Sequence, residues 1–187
     1  MLGTYYYHQI IRKTIIAFGT MFNDLNIQHK DSDGASISEM KVPLAYAPTQ
    51  KFLARLEEQA NLNKATQITL PRMSFEMTDI SYDPSRKAGV TQTFRAVGSD
   101  GKMKKVYMPV PYNIGFELAI FCKLNDDALQ IVEQILPYFQ PAFNVSVNFI
   151  PDMDEKRDIA VQLNNVNYED DWDEGYKNLS NYYTKFS

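Results

Sequence analysis

NIGFELAIFCKLNDDALQIVEQILPYFQP, residues 113–141, decides how this chain folds. Its first half alternates. Ile114, Phe116, Leu118, Ile120, Cys122 and Leu124 recur with a period of two, which predicts a strand with one apolar face. Its second half changes period. Leu129, Val132, Ile135 and Leu136 fall on one helical face, with Ile131 at its border. Asn125, Asp126 and Asp127 suit the helix start, because short polar side chains accept bonds from free N–H groups and their charge suits the positive end. Pro137 lacks an N–H and ends the helix, and Pro141 follows. A strand therefore hands over to a bounded helix that carries no obvious catalytic residue type.

Working outward, helices alternate with runs of strand. Residues 5–22 read as a helix on Ile11, Ile15, Phe18 and Phe22, with Tyr7 and Ile10 nearby and Gly19 weakening its last turn. Residues 25–29 alternate, and DSDG (31–34) is a turn signal. MKVPLAY (40–46) alternates again, with Met40, Val42, Leu44 and Tyr46 on one face, and Pro43 marks an edge or a bulge. A second helix is expected over 47–60, with Thr49 as cap and Phe52, Leu53 and Leu56 as its apolar side. Residues 68–83 form a strand and 83–89 a loop. TFRAV and KKVYM flank GSDG (98–101) as a hairpin. After the quoted helix come alternating strands on Phe143, Val145, Val147 and Phe149, then Ile159, Val161 and Leu163. Short turns between strands predict a largely antiparallel or mixed sheet flanked by helices, an α+β fold. Each strand has one apolar face, so helices should cover one side of the sheet and water or a partner the other.

Composition narrows the function. The 187 residues fit one domain, here 1–187, with 164–187 an acidic loop and a C-terminal strand. Hydrophobic residues make up 44%, enough to bury roughly 70% of the unfolded surface. A net charge of −4 argues against a general nucleic-acid binder. A single cysteine excludes an internal disulfide and fits a reducing compartment. The first residues carry no apolar run of signal-peptide length, and no run approaches the roughly 20 residues of a membrane span. Twelve tyrosines suit both cores and protein interfaces.

No constellation of catalytic residues emerges. His8 and His29 are far apart and neither sits beside a cysteine, so no zinc spacing exists. Cys122, on the apolar side of its strand, reads as a small buried hydrophobe rather than a thiolate nucleophile. Acidic clusters occur at PDMDEKRD (151–158) and YEDDWDEGY (168–176), without the calcium-loop pattern. They read as solvated loops or as docking surfaces for a basic partner, with Trp172 a contact anchor in the second. The glycines make neither a phosphate loop nor a dinucleotide fingerprint. Arg86, Lys87, Lys102, Lys104 and Lys105 form a solvated rim or meet an acidic neighbouring subunit.

Three stretches carry a resemblance: LPRMSFEMTDISYDPSRK (70–87), PVPYNIGFELAIF (109–121) and LQIVEQILPYFQPAF (129–143). With the KRDI segment (156–159), the tyrosine-rich N-terminus and MKVPLAYAPTQKFLARL, they resemble the proximal tail sheath stabilisation proteins, or tail terminators, of contractile-tailed bacteriophages. The resemblance spans most of residues 5–163. It implies a virion structural protein without enzymatic activity, cofactor, metal or catalytic residue. It implies a hexameric ring of the chain with itself at the head-proximal end of the tail. That ring would contact the tail sheath protein, the tail tube or tube-terminator protein, and a neck or head-completion protein. It would read no nucleic acid directly and touch no membrane. Its place would be the tail–neck junction of the virion, after assembly in the host cytoplasm. Members of that family run on with further strand sequence, whereas this chain stops at LSNYYTKFS (179–187), which reads like the start of a strand, as in either a short member or a truncated chain. The competing readings are a related neck or connector ring of a phage or other contractile injection system, and an enzyme using Cys122 or the acidic loops. A closed ring needs a head-to-tail interface. The expected contacts are the 83–105 hairpin region and the 30–38 loop, with Arg72, Arg86 and Lys87 meeting Asp152, Asp154 or Glu155 across the joint. Tyr138 and Phe139 belong either to the core or to the next subunit.

Overall fold

The computed structural model describes residues 7–31, 36–51, 54, 70–98, 101–150, 155–173 and 177–186. The fold is α+β. A six-stranded sheet has the order β3-β4-β7-β10-β9-β8, formed by β3 (Leu44–Tyr46), β4 (Arg72–Tyr82), β7 (Tyr112–Cys122), β8 (Ala142–Ile150), β9 (Glu155–Asp173) and β10 (Lys177–Phe186). Only the edge pair β3–β4 is parallel; the other neighbours are antiparallel. Two separate hairpins complete the strands: β1 (Asn26–Lys30) with β2 (Ser36–Lys41), and β5 (Thr93–Val97) with β6 (Met103–Tyr107). Helices α1 (Ile10–Met21) and α2 (Asn125–Ile135) pack against this framework, and a 3-10 turn at Leu136–Tyr138 follows α2.

The core forms where the two helices meet the middle of the sheet. Phe18 of α1 stacks on Phe116 of β7 with centroids 4.4 Å apart, and tilts against Phe22 and Phe75. Met73, Leu118, Ile120 and Cys122 continue this layer beneath Ala128, Ile131, Val132 and Ile135 of α2. Aromatic pairs of this kind add to the area they bury. Gly19 has a packing reason as well as a helix cost. A Cβ there would lie 2.7 Å from Phe75 Cζ, so the ring needs the missing side chain.

Several expectations change in position. The helix expected from residue 5 begins at Ile10; Tyr7, His8 and Gln9 precede it, and residues 5 and 6 lie outside the described residues. Ile11 is exposed, and the buried side of α1 centres on Phe18. MKVPLAY is two strands in two sheets. β2 ends at Lys41, Val42 donates its N–H to Leu25 O, and Pro43 O accepts from the Met73 N–H before β3 begins. Proline has no N–H to continue a ladder, so the chain changes partner there. On α2 the buried stripe is Ala128, Ile131, Val132 and Ile135, while Leu129 and Leu136 are exposed. Ile131 is its centre, because 128, 131, 132 and 135 keep the three-to-four spacing. Leu124, without a side-chain bond, occupies the N-cap position, and Asn125, Asp126 and Asp127 form the first turn. Backbone at 49–51 is helical, but Phe52, Leu53 and Leu56 of the expected second helix lie outside the described residues, as does the 32–35 turn.

The one-sided sheet also needs correction. Ser74, Ala119 and Phe121 point away from the Met73–Leu118–Cys122 layer, yet they are as buried as it is. β7 buries both faces in its second half, as FELAIFC permits by placing Ala119 and Phe121 between the core positions. The acidic run 168–173, expected as a loop, is backbone of the long strand β9.

Candidate interaction surface

α2 is held to β1 by polar side chains at the rim of its buried stripe. Gln130 Oε1 accepts the Gln28 N–H at 3.1 Å, and Gln134 Nε2 donates to Asn26 O at 2.8 Å. His29 Nε2 lies 2.8 Å from Asp127 Oδ1, whose side chain is buried. Ninety-eight positions separate these two residues, so no local pattern in the sequence marks them as partners. The bounded helix therefore serves as a clamp. It pins the β1–β2 hairpin and covers Cys122. Burial, then the nearby Asp127 carboxylate, pushes the Cys122 thiol up to about 12 from 9.0, which keeps it protonated and suppresses nucleophilic character. Among the described residues no group of three His, Cys, Asp or Glu is placed to hold a metal. His8 is exposed.

The conspicuous surface lies beyond the other end of β4 and β7. The two strands stay paired to Tyr82 opposite Tyr112, whose rings meet edge to face at 5.8 Å. From there the chain leaves the sheet as an arm, residues 83–111, which carries the β5–β6 hairpin. A small polar lock closes its root. The Asp83 N–H donates to Pro111 O at 3.2 Å. The Asp83 carboxylate accepts the Ser85 hydroxyl at 2.5 Å, Arg86 Nε at 2.5 Å and the Ser85 N–H at 2.9 Å. Bonds from the Ser85 hydroxyl, then from Arg86 and the Ser85 N–H, lower the Asp83 carboxyl to about 2. Arg86 also donates to Asn113 Oδ1 on β7. Farther out, Gly98 and Gly101 close the hairpin: Gly98 N–H bonds Lys102 O, Gly101 N–H bonds Gly98 O, and Gly101 has φ +71.

The arm displays apolar side chains to water. Val90 is 83% exposed, Met103 73%, Tyr107 69%, Val97 66% and Val110 60%. Val97 and Met103 are cross-strand partners, so they form one patch on the hairpin. Lys105 Nζ stands 5.8 Å from the Tyr107 ring centre, within cation–π reach. Exposed apolar surface marks interaction sites where it is contiguous, and the Val97–Met103 pair is the contiguous part here. A lone two-stranded hairpin is marginal in water, which adds to the advantage of covering it.

The residues expected at the interface do not share one patch. Arg86 sits at the arm's root, engaged with Asp83 and Asn113, and so orients the arm; Lys87 is exposed beside it. Arg72 opens β4 at the far end, opposite Phe121 and half-buried, about 33 Å of strand away from Tyr82. Phe139 is core-associated: it stacks on Phe22 at 6.4 Å and packs against Phe143. Tyr138 is exposed, edge-on to Phe143. Glu155 opens β9, and Trp172 stands near its end, opposite Asn178. Asp152 and Asp154 lie outside the described residues. Sequence reading located the basic residues of the arm but passed over Val90, Val97, Met103 and Val110. Their signal was an apolar content in turn-rich sequence that no core could absorb.

The class is an α+β protein whose core carries a basic arm with apolar side chains left in water. The chain belongs to the tail sheath stabiliser family of T4-like phages, structural proteins of the phage tail: a family model described as "T4-like virus Myoviridae tail sheath stabiliser" matches residues 5–186. Over 167 residues it is 32% identical to a protein named tail completion protein gp15 from Enterobacteria phage T4. That match covers 85% of this chain and 60% of the relative, so the chain spans less than two thirds of the relative's length.

Proposed function

We propose that the chain is a non-enzymatic virion protein that forms a hexameric ring at the head-proximal end of a contractile tail. The ring caps the tube and the last sheath disc, holds the sheath to the tube end, and joins the tail to the neck. What carries this reading is the family match across residues 5–186. The exposed arm adds a physical reason for assembly. Its apolar side chains would be buried in an oligomer, and burial contributes roughly 25 cal/mol per Å² of apolar surface.

The test is the native mass of the purified chain over a wide concentration range, followed by co-sedimentation with polymerised tail tube and with sheath. A six-subunit species that sediments with tube or sheath is the expected result. A stable dimer or tetramer would count against the ring, and a hexamer that ignores both tube and sheath would count against tail capping.

A further inference from the structure

The sheet has two opposite ends, and they carry opposite charge. One end is the root of the arm, at Tyr82 and Tyr112. The arm holds Arg86, Lys87, Arg95, Lys102, Lys104 and Lys105 against Asp83 and Asp100. The other end is the β9–β10 hairpin. Ser180 of β10 is opposite Cys122 of β7 and Asp170 of β9. The rungs Asp171–Leu179, Trp172–Asn178 and Asp173–Lys177 lie farther on, past the last residue of β7. This extension carries Asp171, Trp172 and Asp173 against the one basic Lys177, with Asp170 and Glu169 on the two rungs inward. At about 3.3 Å per residue, the acidic rungs stand roughly 40 Å from the arm's root along the strands. Glu155, by contrast, lies eight positions before Leu163, which is level with Phe116 through Phe186, and so stands at the arm's own end.

We propose that the arm of one copy docks on the acidic β9–β10 end of a second copy. A closed ring needs two different surfaces on each subunit, each recognising the other. On one face of its hairpin the arm supplies Val97, Met103 and Tyr107, with the basic Arg95–Lys105 pair between them; the opposite end supplies carboxylates and an aromatic residue in the sequence. Protein interfaces combine apolar and aromatic contacts with polar ones, and charge complementarity selects the partner and its orientation. The inference rests on the ring reading only for closure; the pairwise contact stands on the charge and apolar character of the two ends.

The experiment uses the full chain in two charge-reversed forms. One carries Lys87→Glu, Arg95→Glu and Lys105→Glu on the arm. The other carries Asp170→Lys, Asp171→Lys and Asp173→Lys on the hairpin end. Circular dichroism establishes that each is folded, and sedimentation reads assembly. Each variant alone should associate roughly 100-fold more weakly than the unaltered chain. An equimolar mixture should reassemble, because each reversed arm then meets a reversed end and each native arm a native end. Raising the salt to about 1 M should weaken the unaltered assembly, where screening falls to about 3 Å. Variants that each assemble like the unaltered chain overturn the docking and leave the ring reading standing. Folded variants that fail to reassemble when mixed overturn the pairing of these two ends. An unaltered chain that stays monomeric at every concentration overturns both the docking and a ring in solution.

Discussion

Strands β4 and β7 are each 11 residues long and pair along their length, yet their two ends have opposite fates. At the base, Met73, Ser74, Phe75 and everything from Leu118 to Cys122 are buried. At the arm end, Thr78 to Tyr82 and Tyr112 are exposed. The same hydrogen-bonded ladder runs through both, so backbone pairing does not make the difference. The change falls at a bulge between Met77 and Asp79, opposite Gly115. There the Asp79 and Thr78 side chains fold over Gly115, where any Cβ would collide with them. Bulges bend a strand and end regular pairing, and this one separates the part of the ladder that carries the core from the part that carries the arm. The lesson is a division of labour within one pair of strands: stability at one end, contact at the other.

That comparison can be broken at several points. Phe121→Ala, at the base, should cost about 3–5 kcal/mol in urea unfolding, through lost transfer energy and a cavity. A smaller loss would mean that the second face of β7 collapses easily. Gly19→Ala should destabilise by about 1–3 kcal/mol through overpacking against Phe75, although alanine is the better helix former. A gain in melting temperature would show that the Phe75 ring gives way. His29→Ala removes a partner from the buried Asp127 carboxylate and should cost about 1–3 kcal/mol, with the β1–β2 amides losing protection in hydrogen exchange. On the arm, Val97→Ser with Met103→Ser should change the stability of the monomer by no more than about 0.5 kcal/mol, because both side chains are already in water. A loss as large as at Phe121 would erase the distinction between base and arm.

The smallest effect concerns the lock at the arm's root. Asp83 is held at about 2 against an ordinary 3.8, so its folded form favours the charged state. Its contribution is present above pH 3.8 and is lost as the pH falls towards 2. An NMR titration should find the Asp83 carboxyl and the Ser85 amide moving together near pH 2. A midpoint near 3.8 would mean that the lock is open in solution.

Much of this architecture was legible in the residues. The period of two in 114–122 predicted β7, the GSDG turn predicted the β5–β6 hairpin, and Pro137 marked where α2 ends. Local rules suffice there because strand, turn and helix stop each depend on a few adjacent residues. The misreadings share a cause. Leu129 was expected in the core and Ile131 at its border, since several helical faces of similar hydrophobicity can be drawn through that segment. Which one is buried depends on the orientation in which α2 lies on β7.

The sequence alone determined the α+β class, the short-range order of helices and hairpins, and, through its resemblance, the family. It also placed the charges of each sign along the chain. The tertiary structure decided that His29 meets Asp127, that Arg72 opens β4 while Arg86 lies past its other end, and that basic and acidic segments stand beyond opposite ends of one sheet. The physical reason is range. Periodicity and turn chemistry act over a few residues, whereas which distant segments become neighbours follows from strand order and register, and these are properties of the whole sheet.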